Sequence, residues 1–271
     1  MHHPHPSVVQ RQRLGRRQRF VRRVLPFMAS LLLASPLAGA LRSGPARPAA
    51  VVAPASPDAV LHSRLRRAYE RLGAESQGLR FEVFSRAMTG YLNLRQAGKL
   101  AEQPRLAVVD FDLPSTEKRL WVLDLGESKI LFHTLVAHGH NSGENEATQF
   151  SNTNESNMSS LGFYVTGQPY EGKHGHSLKL LGQDEGFNTN AEARAVVMHG
   201  AEYVSEEFIR QNGRIGRSLG CPALPLDQYA AIIDAVQGGS CLFINKSDAG
   251  YSSRFLDRDV AARAVNRVDG V

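Results

Sequence analysis

The chain has few cysteines and few aromatic residues, and it lacks a long apolar run. Only two cysteines and one tryptophan occur among its 271 residues, which excludes a small disulfide-stapled scaffold and a zinc site of four cysteines. No apolar run reaches the roughly 20 residues that cross a bilayer, so a multi-span membrane protein is excluded. Charged residues make up 21% and apolar residues 42% of the chain, as in ordinary globular proteins. At this length we expect one main domain.

Residues 1–40 contain no acidic residue, and this absence accounts for the basic character of the chain. The formal net charge is +6. Seven arginines lie in this segment, namely Arg11, Arg13, Arg16, Arg17, Arg19, Arg22 and Arg23. Subtracting these seven charges leaves −1 for the other 231 residues. The basic charge therefore belongs to the N-terminal segment, and no nucleic-acid partner is expected.

Residues 1–40 have the pattern of an export signal. The arginines precede an apolar run from Val24 to Leu37, which is followed by the small-x-small cleavage pattern Ala38-Gly39-Ala40. We expect export to the periplasm, cleavage near Ala40 and only transient contact with the membrane. A permanent anchor is the alternative, but two prolines interrupt the apolar run. The pattern does not distinguish the general export route from the twin-arginine route.

Composition and periodicity divide the next hundred residues into a linker and a helical part. Residues 41–57 are rich in alanine and proline and have no helical or strand period, which predicts a linker. In residues 58–104, apolar residues recur at spacings of three and four, which predicts a small helical N-terminal subregion. We expect Asp58 to cap its first helix and the second helix to run from Phe81 to Gln96.

Residues 105–247 are predicted to be a mainly β domain with α additions, because short β-branched and aromatic runs alternate with turn residues. The predicted strands, chiefly antiparallel, are Leu106–Leu113, Arg119–Leu125, Lys129–Ala137, Phe163–Thr166, Ala195–His199 and Ser240–Asn245, and the predicted helices are Tyr203–Gln211 and Leu226–Val236. The polar stretch from Gly139 to Ser160 predicts a functional loop, with a disordered insertion as the alternative. Residues 248–271 are predicted to be a loosely packed C-terminal tail.

Cys221 and His199 have the sequence context of a nucleophile and a base. Cys221 stands between Gly220 and Pro222, and a glycine beside a cysteine lets the backbone approach a substrate. His199 ends a predicted apolar strand and is followed by a glycine. If the strand end faces the loop, the imidazole can hold the thiol as thiolate and then return the proton to a leaving amine.

The residues alone leave three alternatives open. Two cysteines in an exported protein commonly form a disulfide, so Cys221 can pair with Cys241, although Cys241 by itself is typical of a small buried hydrophobe. A histidine at a strand end is often structural. The pairs His138-Gly-His140 and His174-Gly-His176 can supply zinc ligands. Nearby acidic residues show no metal-ligand spacing, so we expect neither a metal nor another cofactor.

Two runs, from Val196 to Ser205 and from Gly213 to Pro225, closely resemble the murein L,D-transpeptidase catalytic domain of the YkuD type. In that family a histidine–glycine on a strand precedes a serine-x-glycine-cysteine motif. The resemblance extends over about residues 105–245. It implies a sandwich or barrel-like β domain, a cysteine nucleophile, no metal, and peptidoglycan stem peptides as acyl donor and acceptor. Carried over by motif, Cys221 is the nucleophile and His199 the base.

The resemblance also implies an oxyanion hole made by the backbone amides of Leu219, Gly220 and Cys221. The commonest form of the motif has histidine at the position of Leu219 and arginine at that of Ala223. Those residues would adjust the pKa of the thiol or bind a carboxylate. In this chain other residues must take over these roles, or the roles are absent. The departures resemble a branch with Ser-x-Gly-Cys-Pro-Ala. Some members of that branch join L-alanine to diaminopimelate, while better-known relatives join two diaminopimelates. The expected substrate-binding residues are Ser218, Arg217, Arg214, His174, Lys173 and Tyr203.

Several functional alternatives remain at this point. Arg214 and Arg217 can grip an acidic stem group with their planar forks, or they can be solvated loop charges. Water can resolve the same acyl-enzyme, which would make an L,D-carboxypeptidase or endopeptidase. An inactive cell-wall-binding module, with Cys221 oxidised to Cys241, is a further alternative, and a zinc hydrolase is the last.

Overall fold

The structure is a computed structural model that describes residues 56–247 and 250–265. The predicted export signal and nearly all of the predicted linker lie outside the described residues. Within the described ranges, every helix is too short or too polar to span a membrane.

Five helices and eight strands lie in the described part of the chain. The helices are α1 Pro57–Arg71, α2 Phe81–Gln96, α3 Glu206–Asn212, α4 Tyr229–Val236 and α5 Arg258–Ala264. The strands are β1 Arg105–Asp110, β2 Leu120–Asp124, β3 Lys129–Thr134, β4 Gly162–Gly172, β5 Gly175–Gly182, β6 Val197–Gly200, β7 Ala223–Leu224 and β8 Cys241–Asn245. The predicted fold class, mainly β with α additions, is confirmed.

These strands form one sheet that closes almost into a barrel, in the order β3-β2-β1-β8-β4-β5-β6-β7. The pairs β1–β2 and β2–β3 are antiparallel, as the turn residues predict. A tight turn, residues 125–128, joins β2 to β3, but a longer connection, residues 111–119, joins β1 to β2. Two pairs, β1 with β8 and β6 with β7, are parallel. The short β7 lies at the end of the sheet, where it pairs with β6, and an isolated bridge joins its Ala223 to Ala137.

The N-terminal helices share one hydrophobic core with the sheet. The hydroxyl of Ser56 accepts from the Ala59 amide at 3.2 Å, so Ser56 rather than Asp58 caps α1. The indole of Trp121 in β2 donates to the carbonyl of Gln77 at 2.9 Å. The helical subregion therefore covers the sheet and is not a separate lobe.

The C-terminal segment is packed, which corrects the prediction of a loose tail for the residues that the structure describes. Tyr251 and Phe255 are buried, and α5 packs on α1 and α2. The buried carboxylate of Asp184 accepts from the Tyr251 hydroxyl at 2.8 Å and from the Ser253 hydroxyl at 2.6 Å. Small alanines carry the buried face of α5, and alanine gives a weak periodic signal.

The sequence pattern does not predict β5, and it predicts only the inner part of β4. The two strands form a long hairpin that pairs from Tyr164 with Gly182 to Gly172 with Gly175. The outer half of β4, residues 167–172, is exposed or half-buried, and β5 mixes buried, half-buried and exposed residues without strict alternation. The hairpin therefore lacks the apolar alternation of a strand on a core. Lys173 and His174 form the tip of this hairpin.

Gly90 marks the place where α2 meets the sheet. A Cβ at this position would lie 2.0 Å from the ring Cζ of Phe163. We expect Gly90→Ala to lower the free energy of unfolding by about 1–3 kcal/mol through overpacking, although an alanine normally stabilises a helix by about 1 kcal/mol relative to glycine. Urea unfolding measures the change. Phe163→Leu makes room for the methyl group, so strictly additive effects in the double variant would contradict this explanation.

Candidate active site

His199 lies in β6, between β5 and β7 in the sheet, where it pairs with Ser177 on one side and Ala223 on the other. Its side chain is buried. The ring Nδ1 lies 2.9 Å from the carbonyl oxygen of Gly200. Because a carbonyl oxygen only accepts, Nδ1 carries the proton and Nε2 keeps its lone pair. The group that orients the candidate base is therefore a backbone carbonyl, that of Gly200.

The exposed ring of His174, at the tip of the β4–β5 hairpin, covers His199. The two rings are stacked, with centroids 4.4 Å apart and planes at 22°. Burial lowers the pKa of His199 below its ordinary value; the bond to Gly200 opposes this shift, and charge on His174 adds to it. The imidazole is therefore neutral at neutral pH, the form in which it can accept a proton.

Cys221 lies on a short loop, residues 218–222, which we call the cysteine loop. The Ser218 hydroxyl donates to the Cys221 carbonyl at 2.6 Å and accepts from the Gly220 amide at 3.0 Å. Gly220 has a φ of +123°, and a Cβ there would lie 2.7 Å from the Met158 carbonyl oxygen. This position therefore requires glycine both for its backbone conformation and for space.

The thiol of Cys221 lies against the N-terminal end of β6. Its Sγ accepts from the Val197 amide at 3.4 Å and donates to the Ala195 carbonyl at 3.7 Å. Val197 is two residues before His199 on the same strand, and Ala223, two residues after the cysteine, is the β7 partner of His199. The thiol of the candidate nucleophile therefore lies at Val197, and the candidate base follows two residues later on the same strand.

The protonation state of the pair differs from the expectation of a resting thiolate. Burial raises the pKa of the Cys221 thiol above its ordinary value, while the Val197 amide and the Arg194 charge lower it by less. The hydrogen bonds of the thiol run to the backbone of Val197 in β6 and of Ala195 just before it, rather than to the His199 ring. The resting site therefore contains a neutral thiol and a neutral imidazole, and proton transfer accompanies attack on a substrate.

Arg194 is a site residue that the sequence analysis misses. Its guanidinium donates to the carbonyls of Ser151 and Met158 at 2.8 and 2.6 Å, and to two serine hydroxyls of the same stretch. It thereby fixes much of the polar stretch 139–160 against the cysteine loop, and its charge favours the Cys221 thiolate. The partners lie up to 43 residues away, so no local pattern identifies this arginine.

The predicted oxyanion hole is available only in part. The amide of Gly220 is already bonded to Ser218, which corrects its expected role. Among the described residues, the amides of Leu219 and Cys221 donate to no protein group. These two amides remain the candidate donors to an oxyanion.

Arg214 and Arg217 do not point freely toward a substrate as expected. Both pair with the carboxylate of Glu144, at 3.0 Å from Arg214 Nε and 2.8 Å from Arg217 Nη1. Arg217 also donates to the carbonyls of His140 and Gly143. In this structure the two arginines fasten the polar stretch to the segment that precedes Cys221. Ser218, which is buried, likewise holds the loop rather than a substrate.

Of the other predicted substrate-binding residues, Lys173 is exposed beside His174 at the hairpin tip. Tyr203 is half-buried, and its carbonyl accepts from the Gly216 amide at 2.8 Å. Burial, and after it the negative charge of a Cys221 thiolate, raise the pKa of Tyr203 to about 12. The phenol is therefore a neutral neighbour of the thiol, able to donate a hydrogen bond.

The histidine pairs considered as zinc ligands are separated by their contacts. His138 is buried against Arg119, and His176 lies between Glu171 and Asp234 at 3.4 Å from each. Throughout residues 56–247 and 250–265, no three side chains of the metal-binding types are grouped to hold an ion.

A family model described as the L,D-transpeptidase catalytic domain matches residues 75–245. The chain belongs to this family. The match includes both halves of the site, since His199 and Cys221 lie inside it. A search of curated proteins found no match to this L,D-transpeptidase domain.

Solved structures similar to this chain include two L,D-transpeptidases and a cell shape determining protein. An L,D-transpeptidase from Mycobacterium smegmatis has 15% identity, with 53% of this chain and 59% of that chain covered and a TM-score of 0.33. The helical cell shape determining protein Pgp2 (K307A mutant) from Campylobacter jejuni has 13% identity, with 67% and 63% covered and a TM-score of 0.38. An L,D-transpeptidase from Stackebrandtia nassauensis has 14% identity, with 69% and 78% covered and a TM-score of 0.32. The chain spans about six tenths of the length of the first two.

His174→Ala tests the role of the stacked ring in this L,D-transpeptidase domain. Removing the ring uncovers His199, so we expect the pKa of His199 to rise toward its ordinary 6.5. NMR titration of the His199 ring proton measures it. His176→Ala is the control, because His176 lies in the same hairpin but contacts Glu171 and Asp234. Equal titration curves in both variants would contradict the assignment.

Proposed function

We propose that the protein is a peptidoglycan L,D-transpeptidase that acts through a cysteine thioester. The observation that carries the proposal is the hydrogen bond from the Val197 amide of β6 to the Cys221 thiol at 3.4 Å, two residues before the buried His199, whose Nδ1 is fixed by Gly200. Membership of the family supports the same reaction class.

In the acylation step, Sγ of Cys221 attacks the carbonyl carbon of an L-configured residue in a donor stem peptide. The thiol proton passes to Nε2 of His199, and the new S–C bond forms. The amides of Leu219 and Cys221 donate to the oxyanion. When the intermediate collapses, the C–N bond breaks and His199 returns the proton to the leaving amine. The products are a thioester on Cys221 and the released amine.

In the second step, the amine of an acceptor stem peptide attacks the thioester carbonyl. His199 takes a proton from the attacking amine, the C–S bond breaks, and Cys221 recovers its proton. The new amide is a crosslink between two stem peptides. We propose diaminopimelate–diaminopimelate or L-alanine–diaminopimelate as the bond formed; water in place of the amine gives the carboxypeptidase or endopeptidase reaction.

The state of the two cysteines supports an active enzyme over an oxidised wall-binding module. Both are free thiols in the structure. Cys241 is fully buried in β8, where its backbone pairs with Leu106 and Val165, whereas Cys221 is half-buried at the site. Burial raises the pKa of Cys241, so the two thiols are expected to differ strongly in reactivity.

The two cysteines offer a matched pair of variants. We expect Cys221→Ala to reduce turnover of purified disaccharide-peptides by more than about 1,000-fold and to abolish the acyl adduct seen by intact-protein mass spectrometry. Cys241→Ala, which removes the buried sulfur, should retain the adduct and most of the turnover. Fragmentation of new dimers identifies the residues joined. Crosslinking by the Cys221→Ala protein would refute the mechanism.

We further infer that the protein is exported to the periplasm and cut near Ala40. The charge and apolar pattern of residues 1–40 supports this inference. The mass of the protein recovered from the periplasm is expected to correspond to residues 41–271. An uncut chain held in the membrane fraction would instead support the anchor alternative.

A further inference from the structure

Arg119, the residue that precedes β2, is a fully buried cation that contacts no carboxylate among the described residues. Within the described residues, its guanidinium donates to the carbonyl of Val136 through Nε and Nη2 at 3.1 and 2.9 Å, and to the carbonyl of Leu113 at 2.9 Å. It also lies over the ring of Phe111, 4.8 Å from the centroid. Burial lowers the pKa of Arg119 to about 9, so the group is charged at neutral pH.

The remaining partner of Arg119 is the ring of His138, which is also fully buried. Nη2 of Arg119 lies 2.8 Å from Nδ1 of His138, and Nε2 of His138 lies 3.2 Å from the carbonyl of Gly143. Since arginine only donates, Nδ1 accepts and Nε2 carries the proton that Gly143 receives. Burial, and then the Arg119 charge, lower the pKa of His138 to about 4. The ring is thus neutral and held at both nitrogens.

The backbone around His138 holds both ends of the cysteine loop. The Ala137 amide donates to the carbonyl of Ala223 at 2.9 Å, just after the loop. At the other end, the Ser218 amide donates to the His138 carbonyl at 3.0 Å and the His140 amide donates to the Ser218 carbonyl at 2.7 Å. The chain from Ser218 to Ala223, which includes Cys221, is therefore held at both ends by one short segment, residues 137–140.

We propose that Arg119 and His138 are positioning residues for the nucleophile, fixing residues 136–140 so that the cysteine loop places the Cys221 thiol on β6. The proposal rests on the proposed function only for what the thiol does; the placement itself can be tested without any substrate. Neither residue touches the sulfur, and both act through the backbone of the segment.

A purely space-filling role does not account for this pair. A buried cation is costly, and apolar side chains of similar size commonly fill such a place with equal or better stability. The planar guanidinium of Arg119 donates to the Leu113 carbonyl, before β2, and to the Val136 carbonyl, after β3. Its bond to Nδ1 also selects one tautomer of His138. Directional bonds of this kind fix the position and orientation of residues 136–140 relative to the sheet. Apolar packing would define both less strictly.

The test uses His138→Leu in a Cys241→Ala background, in which Cys221 is the only thiol. Release of the loop removes the burial that makes the thiol unreactive, so we expect iodoacetamide to alkylate Cys221 at least about threefold faster at fixed pH. Turnover of the stem-peptide substrate is expected to fall about 100-fold with KM little changed, as for a misplaced reactive group. Faster alkylation together with slower turnover is the result expected when the thiol loses its position.

Leu92→Ala is the control for lost stability, since Leu92 is fully buried in α2, away from the cysteine loop. At temperatures where both variants remain folded by circular dichroism, this control should keep the parent rates. An alkylation rate for His138→Leu equal to that of the control overturns the proposal, whatever the turnover does. Because alkylation needs no substrate, this result is independent of whether the protein proves to be a transpeptidase.

Two conservative variants carry the test if His138→Leu does not fold. His138→Asn places an acceptor near Nδ1 and keeps the bond to Arg119, while His138→Gln places a donor near Nε2 and keeps only the bond to Gly143. The proposal requires the Asn variant to retain the parent alkylation rate and the Gln variant to react faster. Identical rates in these two variants would overturn it.

Discussion

The pairing of the cysteine loop with two backbone segments is the constraint on which the site depends. On one side β7 pairs with β6, which carries His199. On the other side residues 137 and 139 bridge to residues 223 and 218. Neither a helix nor a strand holds Cys221 itself, and the loop contains a glycine with positive φ. The position of the thiol is therefore fixed by contacts between parts of the chain that are distant in sequence.

Burial at this junction determines how the pair can react. It raises the pKa of the Cys221 thiol and lowers that of the His199 imidazole, so both shifts oppose the ion pair. In the proposed reaction, a site that starts neutral develops charge only as a carbonyl carbon is attacked, when the amides of Leu219 and Cys221 would gain an oxyanion to bind. Tight packing and late ionisation are thus consequences of the same low-dielectric environment.

Local patterns predict the elements well where an element has a core on one face and solvent on the other. The helix Phe81–Gln96 is predicted with the ends it has in the structure, and the strands around Trp121 and Phe243 lie where their apolar runs predict. The outer hairpin and α5 lack that signal, because polar residues or alanines replace the apolar alternation. Cys221 and His199 are predicted as nucleophile and base from motif and resemblance, which do not depend on the periodicity of a strand or helix.

The rest of the site is set by tertiary contacts that no spacing encodes. Arg217 has the position expected of a substrate-binding residue, yet its guanidinium is engaged by Glu144, 73 residues earlier in the chain. Arg194 has no motif, yet its charge acts on the thiol. Arginine side chains are long and form several bonds, so their partners depend on how loops meet after folding. A buried polar network is therefore the part of a site that sequence predicts least well.

Leu219 shows where the electrostatic control of this site lies. The commonest family motif places a histidine there, next to the loop glycine, whereas Leu219 is 72% exposed and offers the thiol no side-chain donor. In this chain the groups that favour the thiolate, the Val197 amide and the Arg194 charge, come from β6 and the turn before it. In the proposed mechanism, the groups that favour the thiolate therefore lie outside the cysteine loop.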